Sequence, residues 1–317
     1  MSKLTRKVVI LAKLEATYAT DPTPTGADDA ILVNAGIDLR PTGERIERTI
    51  VRDTFSPAGN VIGAKVVALD IEVEAKGGGW DTDDPLPPEY DVLLQCCAMS
   101  VDVSITGQRT YLPVTDPADH ESCTIYCYRD GILHIVTGCM GTFSLNLPVG
   151  GIPTLKFSMQ GLWVDPTDTP IPGTVTTLDL VPPVVKGIGL TVGGYTPVGV
   201  NALSIDIGNQ IIQRKDVNAA EGLTGLAITG RNPTGSLDPE VDTLSNFGVW
   251  AAWKAATKSA IACTVGSVAG NRFDLAVAKA QYDDVSYGDR DGTLIYALPF
   301  TATINSDGDD EVSLTFR

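Results

Sequence analysis

Histidine, aromatic residues, positive charge and long apolar runs are all scarce in this 317-residue chain. Two histidines, His120 and His134, give zinc centres and imidazole acid–base chemistry little to work with. Lys and Arg number 23 against 39 Asp and Glu, for a net charge of −16, which excludes a protein that grips duplex nucleic acid by neutralising phosphates. Gly, Pro or charge interrupts every apolar stretch before the roughly 18 residues of a spanning helix, so no membrane is expected as a partner. The opening Val8 to Ala12 imitates an export signal but is cut short by Lys13 and Glu15, and synthesis in the cytosol is expected.

Six cysteines (Cys96, Cys97, Cys123, Cys127, Cys139, Cys263) are irregularly spaced in a chain too large to need covalent staples. Cys123 and Cys127 share a strand face about 13 Å apart, too far to bridge or to chelate together. All six are expected to be reduced, as small packing residues.

What the chain has is alternation. In Ala68 to Ala75 the apolar set Leu69, Ile71, Val73 and Ala75 opposes Asp70, Glu72 and Glu74, the pattern of a half-buried antiparallel strand. The rhythm recurs over 142–147, 154–160 and 203–207, each run ending in turn residues. Helical spacing is expected over 89–98, entered through Pro87-Pro88, and over 242–257, capped by Asp242 or Ser245. There Trp250 and Trp253 share a face, read as packing against a sheet. The elements also occur in the same order twice. Ala202 to Asp206 matches Gly36 to Leu39, Leu226 to Leu237 matches Val66 to Ala75, and the second helix matches the first. The chain is therefore expected to be mainly β, with two tandem similar β-barrel or sandwich domains, each flanked by one α-helix. The expected division is an arm at 1–29, a domain at 30–165, a Pro- and Gly-rich linker at 166–197 and a second domain at 198–317.

Chemistry has little foothold. No G-x-S-x-G, H-E-x-x-H or P-loop occurs, and Gly187 to Gly194 is not followed by the helix that a dinucleotide fingerprint requires. The acidic clusters Asp81 to Asp84, Asp289 to Gly292 and Asp307 to Glu311 lack the twelve-residue calcium loop with its closing Glu and read as solvated turns. No catalytic residue, metal or cofactor is expected. Binding or assembly is the function class that remains.

The sequence resembles the tail tube (major tail) proteins of long-tailed bacteriophages. The resemblance runs through Leu11 to Gly26, Glu44 to Arg52, Arg129 to His134, Gly138 to Leu145, Asp206 to Gln210 and Arg231 to Gly235, and its weight lies in their order. It implies a virion protein, made and assembled in the host bacterial cytoplasm, whose subunits form rings that stack into a hollow tube. The implied partners are other copies of itself, a tape-measure protein, a tail terminator and distal tail or tip proteins, with DNA passing through unbound. A duplicated chain would build a pseudo-sixfold ring from three copies.

On that reading the polar strand faces supply the channel lining: Asp70, Glu72, Glu74, Ser144, Asn146, Ser158, Gln160 and Asp206. Ring stacking falls to the mixed-charge connection carrying Arg45, Glu47, Arg48, Arg52 and Asp53, to its counterpart Arg214, Lys215 and Asp216, and to the N-terminal arm. Two other readings stay open. One is a tandem β-sandwich that binds a receptor or carbohydrate, or decorates a surface, with Trp80 in a groove. The other is a hydrolase built on two of the many carboxylates.

Overall fold

A computed structural model describes residues 3–34, 37–219 and 221–317. Gly36, named above at the start of one repeat match, and Met1 and Ser2 of the arm lie outside them.

The first half contributes β1 (Val8–Leu14), β2 (Ala30–Ile31), β3 (Asp38–Ile46), β4 (Val61–Glu74), the short ladder of β5 (Trp80–Asp81) and β6 (Asp84–Pro85), α1 (Asp91–Gln95), β7 (Met99–Asp102), β8 (Arg109–Pro113), β9 (Cys123–Arg129), β10 (Ile132–Pro148) and β11 (Thr154–Trp163). The second half contributes β12 (Thr191–Val192), β13 (Ala202–Asp206), β14 (Asn209–Lys215), β15 (Leu223–Arg231), β16 (Thr234–Leu237), α2 (Val249–Lys254), β17 (Lys258–Val265), β18 (Phe273–Tyr282), β19 (Ser286–Arg290), β20 (Thr293–Ala302) and β21 (Val312–Phe316).

All strand pairs in these ladders are antiparallel, and two series run in the same order. In the first half β1, β9, β10, β11, β4 and β3 are neighbours in turn. In the second the series is β12, β17, β18, β20, β16 and β13. The end of β10 pairs with β13, joining the two series into one sheet, and β21 crosses back to pair with β8. The ladders branch without returning to their starting strand among the described residues, so the architecture is open and sandwich-like rather than a barrel closed within one chain.

Period-2 patterning explains which side is buried. Ile71, Val73, Leu155, Phe157, Leu145, Ile205, Leu298 and Phe300 all face one core and are 2% exposed or less. Tyr90 joins them beside Phe157 and Phe316, with ring centroids at 6.1 and 6.4 Å, and donates its hydroxyl to the Lys76 carbonyl at 2.8 Å. The turns Asp130-Gly131 and Asp291-Gly292 hold both residues at positive φ, as two-residue hairpins require.

Several expectations need correction. Residues 8–14, read as part of a free arm, are β1, paired with β9 along its whole length, with Ile10, Leu11 and Ala12 buried. Both helices are shorter than their periodicity suggested. The first covers 91–95 because Ala98 turns to φ 56 and leads into β7. The second starts at Val249 behind Gly248, without a side-chain cap, because Asp242 is engaged instead by Tyr195 and Asn246. Trp250 and Trp253 do meet edge to face at 6.4 Å, but Trp253 remains 43% exposed and donates to the Asp283 carbonyl. The cluster at 307–311 is no solvated turn: Asp309 and Glu311 hold Arg231, and Asp310 accepts from Asn305 and Ser306. The connection 166–197 runs against the body, with Thr167 bonded to Leu133 and Thr176 to Gly26. All six cysteines are free and buried, and burial pushes the Cys263 thiol up to about 12.

Candidate functional site: a polar sheet face and an exposed arm

Period-2 alternation on antiparallel strands in register forces every second residue onto a common face. From β4 to β20 one row runs Glu72, Lys156, Ser144, Asp206, Thr234, Thr301, each directly opposite the next. A second row runs Glu74, Thr154, Asn146, Ser204, Ser236. A third runs Asp38, Asp70, Ser158, Thr142. Seven of the eight residues expected from sequence to line a channel stand in these rows on one face of one sheet, and that face continues across the junction between the two halves.

The face is polar and ordered by local bonds. Asp70 accepts from Arg40 at 2.7 Å and from Ser158 at 2.8 Å. Glu72 accepts from Asn34 at 2.9 Å, and Asp206 from the Gly208 amide at 2.8 Å. Glu72, Asn146, Lys156 and Asp206 are exposed, while Asp70, Glu74, Ser144 and Ser158 are half-buried. Carboxylates at Asp38, Asp70, Glu72, Glu74 and Asp206 outnumber the cations Arg40 and Lys156 there, so the wall is net acidic. Gln160 marks its limit: its partner Met140 is buried against Ala98 and Ile228.

At one end the chain projects. The far half of β3 and the near half of β4 continue as a two-stranded arm, and residues 47–60 form its tip without strand pairing. Arg45, Glu47, Arg48, Arg52 and Asp53 are all exposed there, and Arg48 and Arg52 make no ion pair among the described residues. The tip also carries apolar groups: Ile46, Ile50 and Val51 are exposed, and Phe55 is wholly so. The counterpart Arg214, Lys215 and Asp216 closes the β14–β15 hairpin. That hairpin leans on the arm's base, with Lys215 2.9 Å from Glu44 and Lys65 3.3 Å from Glu221. Asp216 is occupied in its own turn, accepting from Asn218. Of the second group, Lys215 makes an ion pair, while Arg214 and Asp216 make none among the described residues.

Sequence reasoning missed the bond network that fixes this end. Glu15 is 6% exposed, and its carboxylate accepts from Ser122 at 2.7 Å, Thr124 at 2.6 Å, the Gly138 amide at 2.8 Å and the Ala19 amide at 2.7 Å. Tyr18, just beyond, accepts from the Leu226 amide at 2.7 Å, which ties the opening segment to the β14–β15 hairpin. Burial lifts the Tyr18 phenol above its ordinary range. No local signal marks Glu15, because all but one of its donors lie more than 100 residues away in the chain.

Among the described residues no His, Cys, Asp and Glu group is arranged to hold a metal ion, and no helix is long and apolar enough to cross a membrane. The family model described as "Phage tail tube protein" matches residues 5–317. No curated protein matches the chain.

Proposed function

This chain belongs to the phage tail tube proteins, structural components of the virion tail, and from that premise we propose that its copies close into rings that stack into a hollow tube conducting genome DNA. The observation that carries the reading is the continuous polar face with a fully apolar reverse. Each half offers four strands to it, in the orders β3-β4-β11-β10 and β13-β16-β20-β18. Such matching orders support a duplicated unit, with 30–165 and 198–317 as the copies, 166–197 between them and β1 of the opening segment added to the first.

Three chains then give six units and about 24 strands, which at about 4.8 Å spacing and about 40° tilt enclose a backbone diameter of roughly 48 Å. Side chains of about 5 Å on each wall leave roughly 38 Å, against about 20 Å for duplex DNA. DNA passes without touching, and an acidic wall at Glu72, Glu74 and Asp206 keeps it sliding. The tube assembles in the host cytoplasm around a tape-measure protein, between a terminator and the distal tip proteins.

The arm at 47–60 carries the ring-to-ring contact, since its mixed charges and exposed Phe55 have no cover among the described residues. Electron microscopy of the purified protein tests the reading: tubes or rings with a central channel are expected, and isolated particles that bind glycans would replace it with the carbohydrate-binding alternative. Neutralising Arg48 and Arg52 together, as Arg48→Gln and Arg52→Gln, is expected to slow or abolish tube formation while leaving thermal melting unchanged. Polymerisation of that variant at the native rate would remove the arm from the stacking contact.

A further inference from the structure

The junction between the two halves is a template for a contact that a single chain leaves unmade. Ladder positions set the equivalences: Asp38, Asp70, Ser158 and Thr142 form the row that Asp206, Thr234, Thr301 and Gln281 form in the second half. Core residues follow the same scheme, with Leu155 and Phe157 matched by Leu298 and Phe300. Beyond a break at 283–285, β19 continues β18 along β20 as the end of β10 continues along β11. Asn146, opposite Thr154, thus corresponds to Ser286, opposite Ala297, and Leu147 to Tyr287.

The environments of these two equivalent residues differ. Leu147 is 2% exposed, because the end of β10 lies on β13 and the Val149 amide donates to the Asn201 carbonyl at 2.7 Å. With Val149 it forms one wall of a 270 Å³ cavity whose other walls include Val185 and Leu190 of the connection 166–197 and Val200 of the second half. Tyr287 is 55% exposed, and the outer edge of β19 pairs with no strand among the described residues.

The first half has the matching recess without a filling hairpin. A 450 Å³ cavity is bounded by Thr5, Arg6, Val8, Val33, Asn34, Ile37 and Arg129, where the chain leads into β3 beside the start of β1 and the end of β9. Arg129 donates through Nη2 to the Ile37 carbonyl at 2.9 Å, but its Nε is buried without a hydrogen-bond partner. An unpaired buried donor of this kind costs stability until something accepts from it. The β19–β20 turn carries exposed carboxylates at Asp289 and Asp291, opposite in sign to Arg6 and Arg129.

We propose that the β19–β20 hairpin of one copy seats in this recess of a second copy, placing Tyr287 over Val8 and Ile37 and Asp289 beside Arg6 and Arg129. The contact repeats between chains what β10 and β13 make within one, and it is heterologous, so successive copies propagate around a ring. It rests on the tube reading and adds the surface by which neighbours join.

Two variants test it in the full-length protein by light scattering and electron microscopy, with thermal melting as the control for folding. Tyr287 stacks on Tyr296 at 5.4 Å and lies 5.5 Å from Trp250 in its own chain, so Tyr287→Arg is expected to melt somewhat lower but cooperatively, and to lose assembly by roughly tenfold or more in rate at temperatures where it is folded. Asp289→Arg is expected to melt as the native chain does and to lose assembly likewise, and the charge exchange Asp289→Arg with Arg6→Asp to restore assembly. Native assembly by Tyr287→Arg, or no recovery in the exchange variant, would overturn the contact while leaving tubes in the wild type. A wild-type chain that forms neither rings nor tubes would instead remove the tube reading itself.

Discussion

Reversing the charge of the polar face, by Glu72→Lys, Glu74→Lys and Asp206→Lys together, should leave assembly intact and turn a wall that DNA passes into one that holds it. The three side chains lie on the face opposite the core, with Glu72 and Asp206 exposed in the single chain. None belongs to the arm or to the β19–β20 hairpin, and Glu72 alone borders a proposed contact, through the bond it accepts from Asn34 at the recess. Each lysine that neutralises a phosphate steepens the salt dependence of binding, with a logarithmic slope of about −0.9 per contact. For three contacts, raising salt fourfold should weaken binding roughly fortyfold. Co-sedimentation of short duplexes with preassembled tubes reads this directly. The native tube should retain none at low salt, and the triple variant should retain DNA that elutes as salt rises. If both retain equally little DNA, the face does not meet the channel.

The second large effect concerns the fold. Replacing Glu15 by alanine should destabilise the chain by about 3 kcal/mol, because three buried donors and one half-buried donor lose their shared acceptor at once. For a chain of this size the melting temperature should fall by roughly 4 to 5 °C. The loss is local in origin. Glu15 pins the segment after β1 to β9 and to the bulge of β10 near Gly138, where Tyr18 then reaches the β14–β15 hairpin. Hydrogen exchange should therefore rise first in residues 15–20 and in that hairpin. A variant that melts within about 1 °C of the native chain would show that water replaces the carboxylate at little cost.

Most of the sheet was legible because half-burial writes itself into every second residue. Asp70, Glu72 and Glu74 declare their common side against Ile71 and Val73 with no knowledge of the partners, and the same holds for Ser144, Asn146, Ser158 and Asp206. What alternation cannot say is which strands meet. The β10–β13 junction, which makes one face of two halves, depends on residues about 60 apart in the chain. Local signals misled at both helices, where Asp242 is drawn away by Tyr195 and Ala98 turns the chain out of the first helix. They misled again at the opening, where an apolar stretch between charges is a buried strand and not an arm. Glu15, the Arg231 clip to Asp309 and Glu311, and the lean of Lys215 on Glu44 are all long-range, and single-residue chemistry gives no hint of them. The proposed repeat shows in the sequence as an order of elements, while its register lies in the ladders, where Ser158 and Thr301 occupy corresponding rows.

A three-dimensional reconstruction of the tube assembled from the purified chain bears most directly on the central claim. The polar face should form the channel wall, with the row Glu72, Lys156, Ser144 and Asp206 turned inward and the arm at 47–60 crossing to the next ring. A tube whose channel is lined by any other surface, with that row facing outward or buried between subunits, would contradict it.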